Sequence, residues 1–250
     1  MDAALLLTVD SGNTHIKWGL HDGHSWLKQG VVAHDGKALL EPEWQDMAEP
    51  ARILVSHVGD TQAKTDLSEL FSRWKAKPQW IAAVDYQCGV RNYYTEPAQL
   101  GSDRWAALIA AWGSERQGCL VVDIGTATTV DALSDTGEFL GGIILPGVDL
   151  MQTLLIENTA SLKPGDGKFR DYPDNTADAI YSGTIHALGG AVERMAALLT
   201  ITLGHTPNCI LSGGGAQHIQ SALNVNTKVV DNLVLEGLKL IAHENSEIPL

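Results

Sequence analysis

The sequence predicts an α/β protein of two similar lobes, and three observations carry that expectation. First, an apolar run ending in Asp-x-Gly and short polar residues occurs twice, at Val9-Asp10-Ser11-Gly12-Asn13-Thr14 and at Val122-Asp123-Ile124-Gly125-Thr126-Ala127-Thr128. Second, strand-like and helix-like stretches alternate after each copy. Third, 250 residues with 44% apolar content are enough to fill two cores, whereas one core of that size is unusual. The expected division is an N-terminal lobe of 1–115 and a C-terminal lobe of 116–250.

Residues 5–10, about 15–20 and about 26–33 read as a β-meander broken at Ser11–Thr14 and His21–Ser25. Ile53–His57 reads as a buried strand, Asp66–Lys75 as a helix and Gln79–Val84 as another strand. In the run from Ser102, Trp105 and Trp112 share one helical face, so Gly101-Ser102-Asp103-Arg104 is the entrance to a helix. The second half restarts with strands at Cys119–Asp123, Thr129–Leu133 and about Phe139–Leu145, which repeats the opening meander. Helices at about 148–160 and 175–203, a strand at Asn208–Ser212 leading into Gly213-Gly214-Gly215, and a last helix at about 232–244 complete the expectation. Lys163–Asp174, rich in Gly, Pro and charge, reads as a mobile surface loop.

Composition excludes several classes of function. A formal charge of −13 without a dense Lys/Arg cluster argues against a nucleic-acid partner, which requires a basic field. Cys88, Cys119 and Cys209 are odd in number and lack CxxC spacing, as expected of free thiols in a reducing compartment. No stretch reaches membrane-spanning length, and the start, MDAALLLTVD, reads as a strand and not as a signal peptide. The nine histidines form no HExxH or HxH pair, so a transition metal is not expected.

Glycine in each repeated turn lets backbone N–H groups point inward, short polar residues add donors, and the aspartate stands where a metal-bound anion would need it. Two such turns facing each other would clamp phosphate. Each block also has a plainer reading. Asp10 and Asn13 could cap a simple hairpin with Lys17 solvated; Asp103 could stabilise its helix through the dipole with Ser102 as N-cap; Arg104 could lie on the surface.

Strand-turn-strand phosphate motifs in two lobes resemble the acetate and sugar kinase, Hsp70 and actin superfamily, of ribonuclease H-like type with an interlobe nucleotide cleft. The blocks DSGNTHIK (Asp10–Lys17), GSDR (Gly101–Arg104), DIGTATT (Asp123–Thr129), GGIILPG (Gly141–Gly147) and NTADAI (Asn175–Ile180), in that order, resemble type III pantothenate kinase. The resemblance implies a cytoplasmic enzyme of coenzyme A synthesis, a homodimer that moves the γ-phosphoryl of ATP onto pantothenate. It also implies Mg²⁺ and a monovalent cation, K⁺ or NH₄⁺. A related member, the Bvg accessory factor, keeps a non-catalytic regulatory reading open, and an ATPase of the Hsp70 or actin kind is a third.

For the residues, the resemblance implies ATP phosphates at Asp10, Ser11, Gly12, Asn13, Thr14, His15, Ile16 and Lys17, with Asp10 holding Mg²⁺ through water. Thr126 would touch phosphate and Asp123 the monovalent cation. Asp103 would be the general base, and Gly101, Ser102, Asp103 and Arg104 would line the pantothenate site, with Arg104 on its carboxylate. Tyr94, or its neighbour Tyr93, would contact the substrate, as would Thr176 near the dimer interface. Gly141-Gly142 and Pro146-Gly147 would shape a wall beside the phosphates, and Gly213–Gly215 would admit adenosine. Val55-Ser56-His57-Val58-Gly59 departs from the family pattern in lacking a proline after the last valine.

Overall fold

In the computed structural model, which describes residues 4–33, 37–160, 162–163 and 165–244, each copy of the repeated turn is the tip of a β-hairpin. The described chain separates into two units, one of Met1–Ser114 joined by the residues from Asn232 onward, the other of Glu115–Asp231.

The first unit opens with β1 (Leu6–Ser11), β2 (His15–His21) and β3 (Trp26–Ala33), followed by α1 (Lys37–Gln45), β4 (Arg52–His57), α2 (Thr61–Phe71) and β5 (Pro78–Trp80). The strands form one sheet in the order β3-β2-β1-β4-β5. The meander pairs are antiparallel, whereas β1–β4 and β4–β5 are parallel. Strand β1 is central and covered on both faces, so its side chains are buried without alternation, the polar Thr8 and Ser11 among them. Leu7, Val9, Trp18, Ile53 and Val55 pack with Leu40 and Trp44 of α1 and with Leu67 and Phe71 of α2. Helix α2 starts earlier than the expected Asp66 because Asp60 caps it, its Oδ1 accepting the Ala63 N–H at 2.8 Å. The strand expected over Gln79–Val84 shrinks to β5, where Pro78, Gln79 and Trp80 pair with β4 and the Ile81 N–H adds a last bond to Val55 O at 2.9 Å.

A short hairpin, β6 (Tyr86–Gln87) and β7 (Val90–Asn92), turns through Cys88 and Gly89, both in the left-handed region, and leads to α3 (Ser102–Glu115). The last helix, α7 (Leu233–Glu244), follows the second unit in sequence yet packs on β1, β2 and β4. A Cβ on its Gly237 would sit 1.9 Å from the Ala106 carbonyl oxygen of α3, so only glycine allows the two helices this approach.

The second unit repeats the plan with β8 (Cys119–Ile124), β9 (Ala127–Leu133), β10 (Glu138–Pro146), α4 (Val148–Glu157), α5 (Thr176–Leu203), β11 (Asn208–Ser212), α6 (Ala216–Gln220) and β12 (Thr227–Val229). Its strands lie in the order β12-β11-β8-β9-β10. Antiparallel β8–β9–β10 pairs are followed by parallel β8–β11 and β11–β12 pairs, the same topology as in the first unit. Val122, Ile124 and Val130 pack against Ile185, Leu188 and Val192 of α5. Burial pushes the Cys119 and Cys209 thiols up to about 12, which makes both inert at neutral pH. No helix among the described residues is long and apolar enough to cross a membrane.

Candidate active site

At the first turn, Ser11 pairs with Ile16 across the hairpin and the Gly12 N–H donates to the His15 carbonyl at 3.0 Å. That leaves Gly12, Asn13 and Thr14 at an open tip, with Asn13, Thr14 and His15 exposed. Asp10 and Lys17 are cross-strand partners, both half-buried, so an acid and a base flank the tip on neighbouring strands. Within the same block, Ile16 sends its side chain into the core, and only its backbone remains for a ligand. The Ser11 hydroxyl is buried and lies 3.1 Å from His57 Nδ1.

Asp103 occupies the first turn of α3, where burial raises its carboxyl above the usual range against the opposing pull of the Arg104 N–H and charge. Its Oδ1 accepts that N–H at 2.7 Å, which fixes the plane of the carboxylate. Gly101 makes room for it, since a Cβ there would lie 2.5 Å from Asp103 Oδ1. Two plainer readings fail here. Arg104 is only 7% exposed and no surface residue. Ser102 is not an N-cap but the first helical residue, and its hydroxyl turns away toward β4.

The second turn is one residue tighter, with Ile124 pairing with Thr128 and the Gly125 N–H donating to Ala127 O at 3.0 Å. Thr126 is exposed at its tip, and half-buried Asp123 faces Thr129 across the hairpin. The protein grips this turn from two sides. Gly147 donates its N–H to Thr126 O at 2.8 Å, and a Cβ on it would fall 2.0 Å from Gly125 O. Gly215 donates to Ile124 O at 2.9 Å, and Gly213, at φ +86°, lies so close that a Cβ would meet the same oxygen at 2.4 Å. Of the three consecutive glycines, two are therefore required by the packing against Ile124, and only Gly214 faces open space.

Tyr94 is half-buried, with its N–H donated to Asn92 Oδ1 at 3.0 Å, while Tyr93 is 60% exposed. Thr176, exposed at the start of α5, follows the N-cap Asn175, whose Oδ1 accepts from the Asp178 N–H at 3.0 Å. It lines a groove of about 720 Å³ beside Met151 and Leu155 of α4 and Ala179, Ile180 and Gly183 of α5. Thr176 and Thr126 belong to the second unit, and Asp10, Tyr94 and Asp103 to the first.

The loop expected to be mobile at Lys163–Asp174, of which Pro164 lies outside the described residues, is tied down by α5. Buried Asp178 accepts the Lys168 N–H at 2.7 Å and Arg170 Nε at 3.0 Å, and the Arg170 N–H donates to Ser182 Oγ at 2.9 Å. The Lys168 N–H foremost, then Asn175 and Arg170, hold the Asp178 carboxyl below its usual value. Its contribution is full above the unfolded value near 3.8 and is lost as pH falls through the lowered folded value. Asp178→Ala is expected to loosen the loop around Lys168 and Arg170, whose side chains are already exposed, speeding tryptic cleavage there about tenfold at neutral pH, the effect of losing a charged hydrogen-bond acceptor. Mass spectrometry of timed digests measures it.

No group of three or more His, Cys, Asp and Glu that could hold a metal ion occurs among the described residues. Mg²⁺ carried by a nucleotide needs no such group, because phosphate oxygens and water supply most of its ligands. The Asp10 carboxylate beside the open tip fits that limited demand. Asp123 opposite Thr129 offers oxygen donors only, which suits an alkali cation better than a transition metal.

A family model described as type III pantothenate kinase matches residues 6–198. The type III pantothenate kinase of Nitrosospira multiformis is 68% identical over 97% of this chain and 93% of its own length. That of Aromatoleum aromaticum is 43% identical over 97% of this chain and 99% of its own. Among solved structures, a Campylobacter jejuni protein described as a putative Baf family transcriptional activator superposes with a TM-score of 0.60 at 21% identity, covering 97% of this chain and 100% of that one. The activator of 2-hydroxyisocaproyl-CoA dehydratase from Clostridium difficile, with bound ADPNP, gives 0.54 at 12% identity over 98% of each chain. At such identities these structures share the fold alone, the two-lobed α/β fold of the acetate and sugar kinase, Hsp70 and actin type. Sequence identity over nearly the whole length decides the rest: the chain belongs to the type III pantothenate kinase family and is an ATP-dependent kinase.

Proposed function

We propose that Asp103 is the general base with which this kinase transfers the γ-phosphoryl of ATP to the primary hydroxyl of pantothenate, giving 4′-phosphopantothenate. The observation that carries the assignment is a carboxylate at a helix start, raised by burial and fixed in orientation by the Arg104 N–H. A base works best when its pKa approaches the working pH, and burial moves Asp103 in that direction. It accepts the hydroxyl proton as the oxygen attacks phosphorus, and the leaving ADP oxygen takes the γ-phosphoryl bond's electron pair. Arg104, the neighbouring residue, pairs with the pantothenate carboxylate, and Tyr94 contacts the same substrate.

Gly12, Asn13 and Thr14 donate hydrogen bonds to phosphate oxygens, with Lys17 adding charge, and Thr126 does the same from the second turn. Asp10 holds Mg²⁺ through water and Asp123 the monovalent cation, K⁺ or NH₄⁺. Bound together, the ions offset phosphate charge that a protein of net charge −13 would otherwise repel. The cytoplasm is the compartment that suits three free cysteines.

The test is ADP release with and without pantothenate at varied K⁺. Turnover is expected to require pantothenate and to rise with K⁺, and Asp123→Asn to flatten the K⁺ response. Release of ADP without pantothenate would point to a plain ATPase.

A homodimer is the proposed assembly, with α5 at its interface and Thr176 near the substrate. The exposed side of α5 runs through Ala179, Gly183, Ala187 and Gly190 to Leu198 and Ile201, and Cβ atoms on both glycines would meet nothing within 4 Å. Small residues of this kind allow close helix contact. Sedimentation equilibrium is expected to give about twice the 26.8 kDa chain mass, and Gly183→Glu to return it to the monomer value with a raised KM for pantothenate.

A further inference from the structure

We propose that Ser56 and Ser102 form a positioning pair that holds the base-bearing turn of α3 against the strand ends carrying Asp10, so that Ser102 acts through Asp103 and does not contact the substrate. This rests on the assignment of Asp103 as the base. Ser56 is completely buried and Ser102 only 7% exposed. Their hydroxyl oxygens lie 3.1 Å apart, and Ser102 Oγ also accepts the His57 backbone N–H at 3.1 Å. One hydroxyl can donate once and accept twice, so these contacts leave Ser102 little capacity for a substrate group.

The placement of Ser56 gives the pair its reach. In the parallel β1–β4 ladder Asp10 stands beside Ser56, and Ser11 beside His57. The Val58 N–H donates to Ser11 O at 3.1 Å, and His57 Nδ1 meets Ser11 Oγ at the same distance. On the other side of the ring, His57 Nε2 lies 3.1 Å from the Asp60 carbonyl. A carbonyl only accepts, so Nε2 carries a hydrogen; in the neutral ring Nδ1 therefore accepts from the Ser11 hydroxyl. One strand end thus fastens the first phosphate turn through Ser11 and the first turn of α3 through Ser102.

This arrangement also explains why Asp103 accepts its own helix's N–H. The residue before the helix, Gly101, has no side chain to accept a hydrogen bond from the free N–H groups of the first turn. Here Ser102 Oγ is held by β4, and the Arg104 N–H goes to Asp103 Oδ1 instead. Removing the Ser56 hydroxyl leaves Ser102 Oγ on the His57 backbone alone, where it accepts the N–H at 3.1 Å and donates to the carbonyl at 3.4 Å, and removing the Ser102 hydroxyl cuts the first turn of α3 from β4; either change loosens the carboxylate.

Ser56→Ala, Ser102→Ala and the double variant are compared with wild type in the pantothenate-dependent assay, with nucleotide affinity measured by calorimetry on a non-hydrolysable ATP analogue. Each single variant is expected to lower kcat about tenfold, the effect of one lost buried hydrogen bond, and the double variant to cost no more than either alone. KM for pantothenate and nucleotide affinity are expected to stay within about twofold, and Ser102→Thr, which keeps the hydroxyl, to recover most of kcat. A raised KM for pantothenate in Ser102→Ala with Ser56→Ala silent would make Ser102 a substrate contact and overturn the proposal. So would two silent variants, or a fall in nucleotide affinity and melting temperature as large as that in kcat. A wild type without pantothenate-dependent turnover would instead refute the functional assignment itself.

Discussion

Asp103→Asn is expected to lower kcat about 10²–10⁴-fold, the range by which general bases accelerate proton transfer. The amide keeps the shape of the carboxylate and can still accept the Arg104 N–H through its oxygen, so the change removes basicity and little else. Stability is expected to hold or rise. Because the folded carboxyl is raised above its unfolded value near 3.8, the folded state binds its proton more tightly than the unfolded state does. Stability from this group therefore falls as pH rises between the two values, and the penalty of burying the ionised form is complete at neutral pH. Asparagine removes that penalty. For the wild type, kcat should climb with pH along a limb centred above the usual aspartate range, and that limb should vanish in the variant. Steady-state assays across pH, with thermal melts on the same samples, measure both effects. A variant that keeps wild-type kcat would remove Asp103 from the reaction.

Gly147→Ala is expected to destabilise the protein by about 1–3 kcal/mol, the usual cost of forcing a methyl group into a packed site. A Cβ would meet Gly125 O at 2.0 Å and Thr126 O at 2.8 Å, and both obstacles are backbone. No rotamer change relieves such a contact; the second turn itself has to move. Affinity for ATP should therefore fall along with the melting temperature, because the displaced turn carries Thr126. Gly214→Ala is the matched control, since a Cβ there meets nothing within 4 Å and its melting temperature should match wild type. Denaturant unfolding and nucleotide titration on the two variants distinguish local displacement from general loss of fold. Wild-type ATP affinity in Gly147→Ala would remove the second turn from the nucleotide site.

Much of this architecture was legible along the chain. Both meanders, the helix from Ser102 and the long helix ending near 203 follow from apolar periodicity and turn residues, because strand and helix periods are local properties. The starts of elements were less visible. Asp60 extends α2 toward the N-terminus through a single side-chain hydrogen bond, and Pro42 inside α1 hid that helix altogether. The two repeated turns also differ in a way the residue pattern concealed: Ser11 pairs with Ile16, Ile124 with Thr128, so the second loop is one residue shorter.

In the candidate site, the blocks DSGNTHIK and GSDR pointed to Asp10 and Asp103, but not to what surrounds them. Ser56 and His57 carried no signal apart from a missing proline nearby, since their contribution comes from standing beside Asp10 and Ser11 in a parallel ladder between distant segments. The glycines at 213 and 215 read as room for a ligand, and their close packing against Ile124 was not visible in the residue pattern.

The sequence by itself determined the duplicated strand-turn-strand plan, the family and the identity of the acid and basic groups, because residue type and short-range spacing encode them. Only the tertiary structure decided that Arg104 is buried, that Ser102 faces β4 and that the final helix returns to the first sheet. Each of these depends on which segments distant in the chain are brought side by side, and burial, carboxylate pKa and close backbone approach exist only once they are.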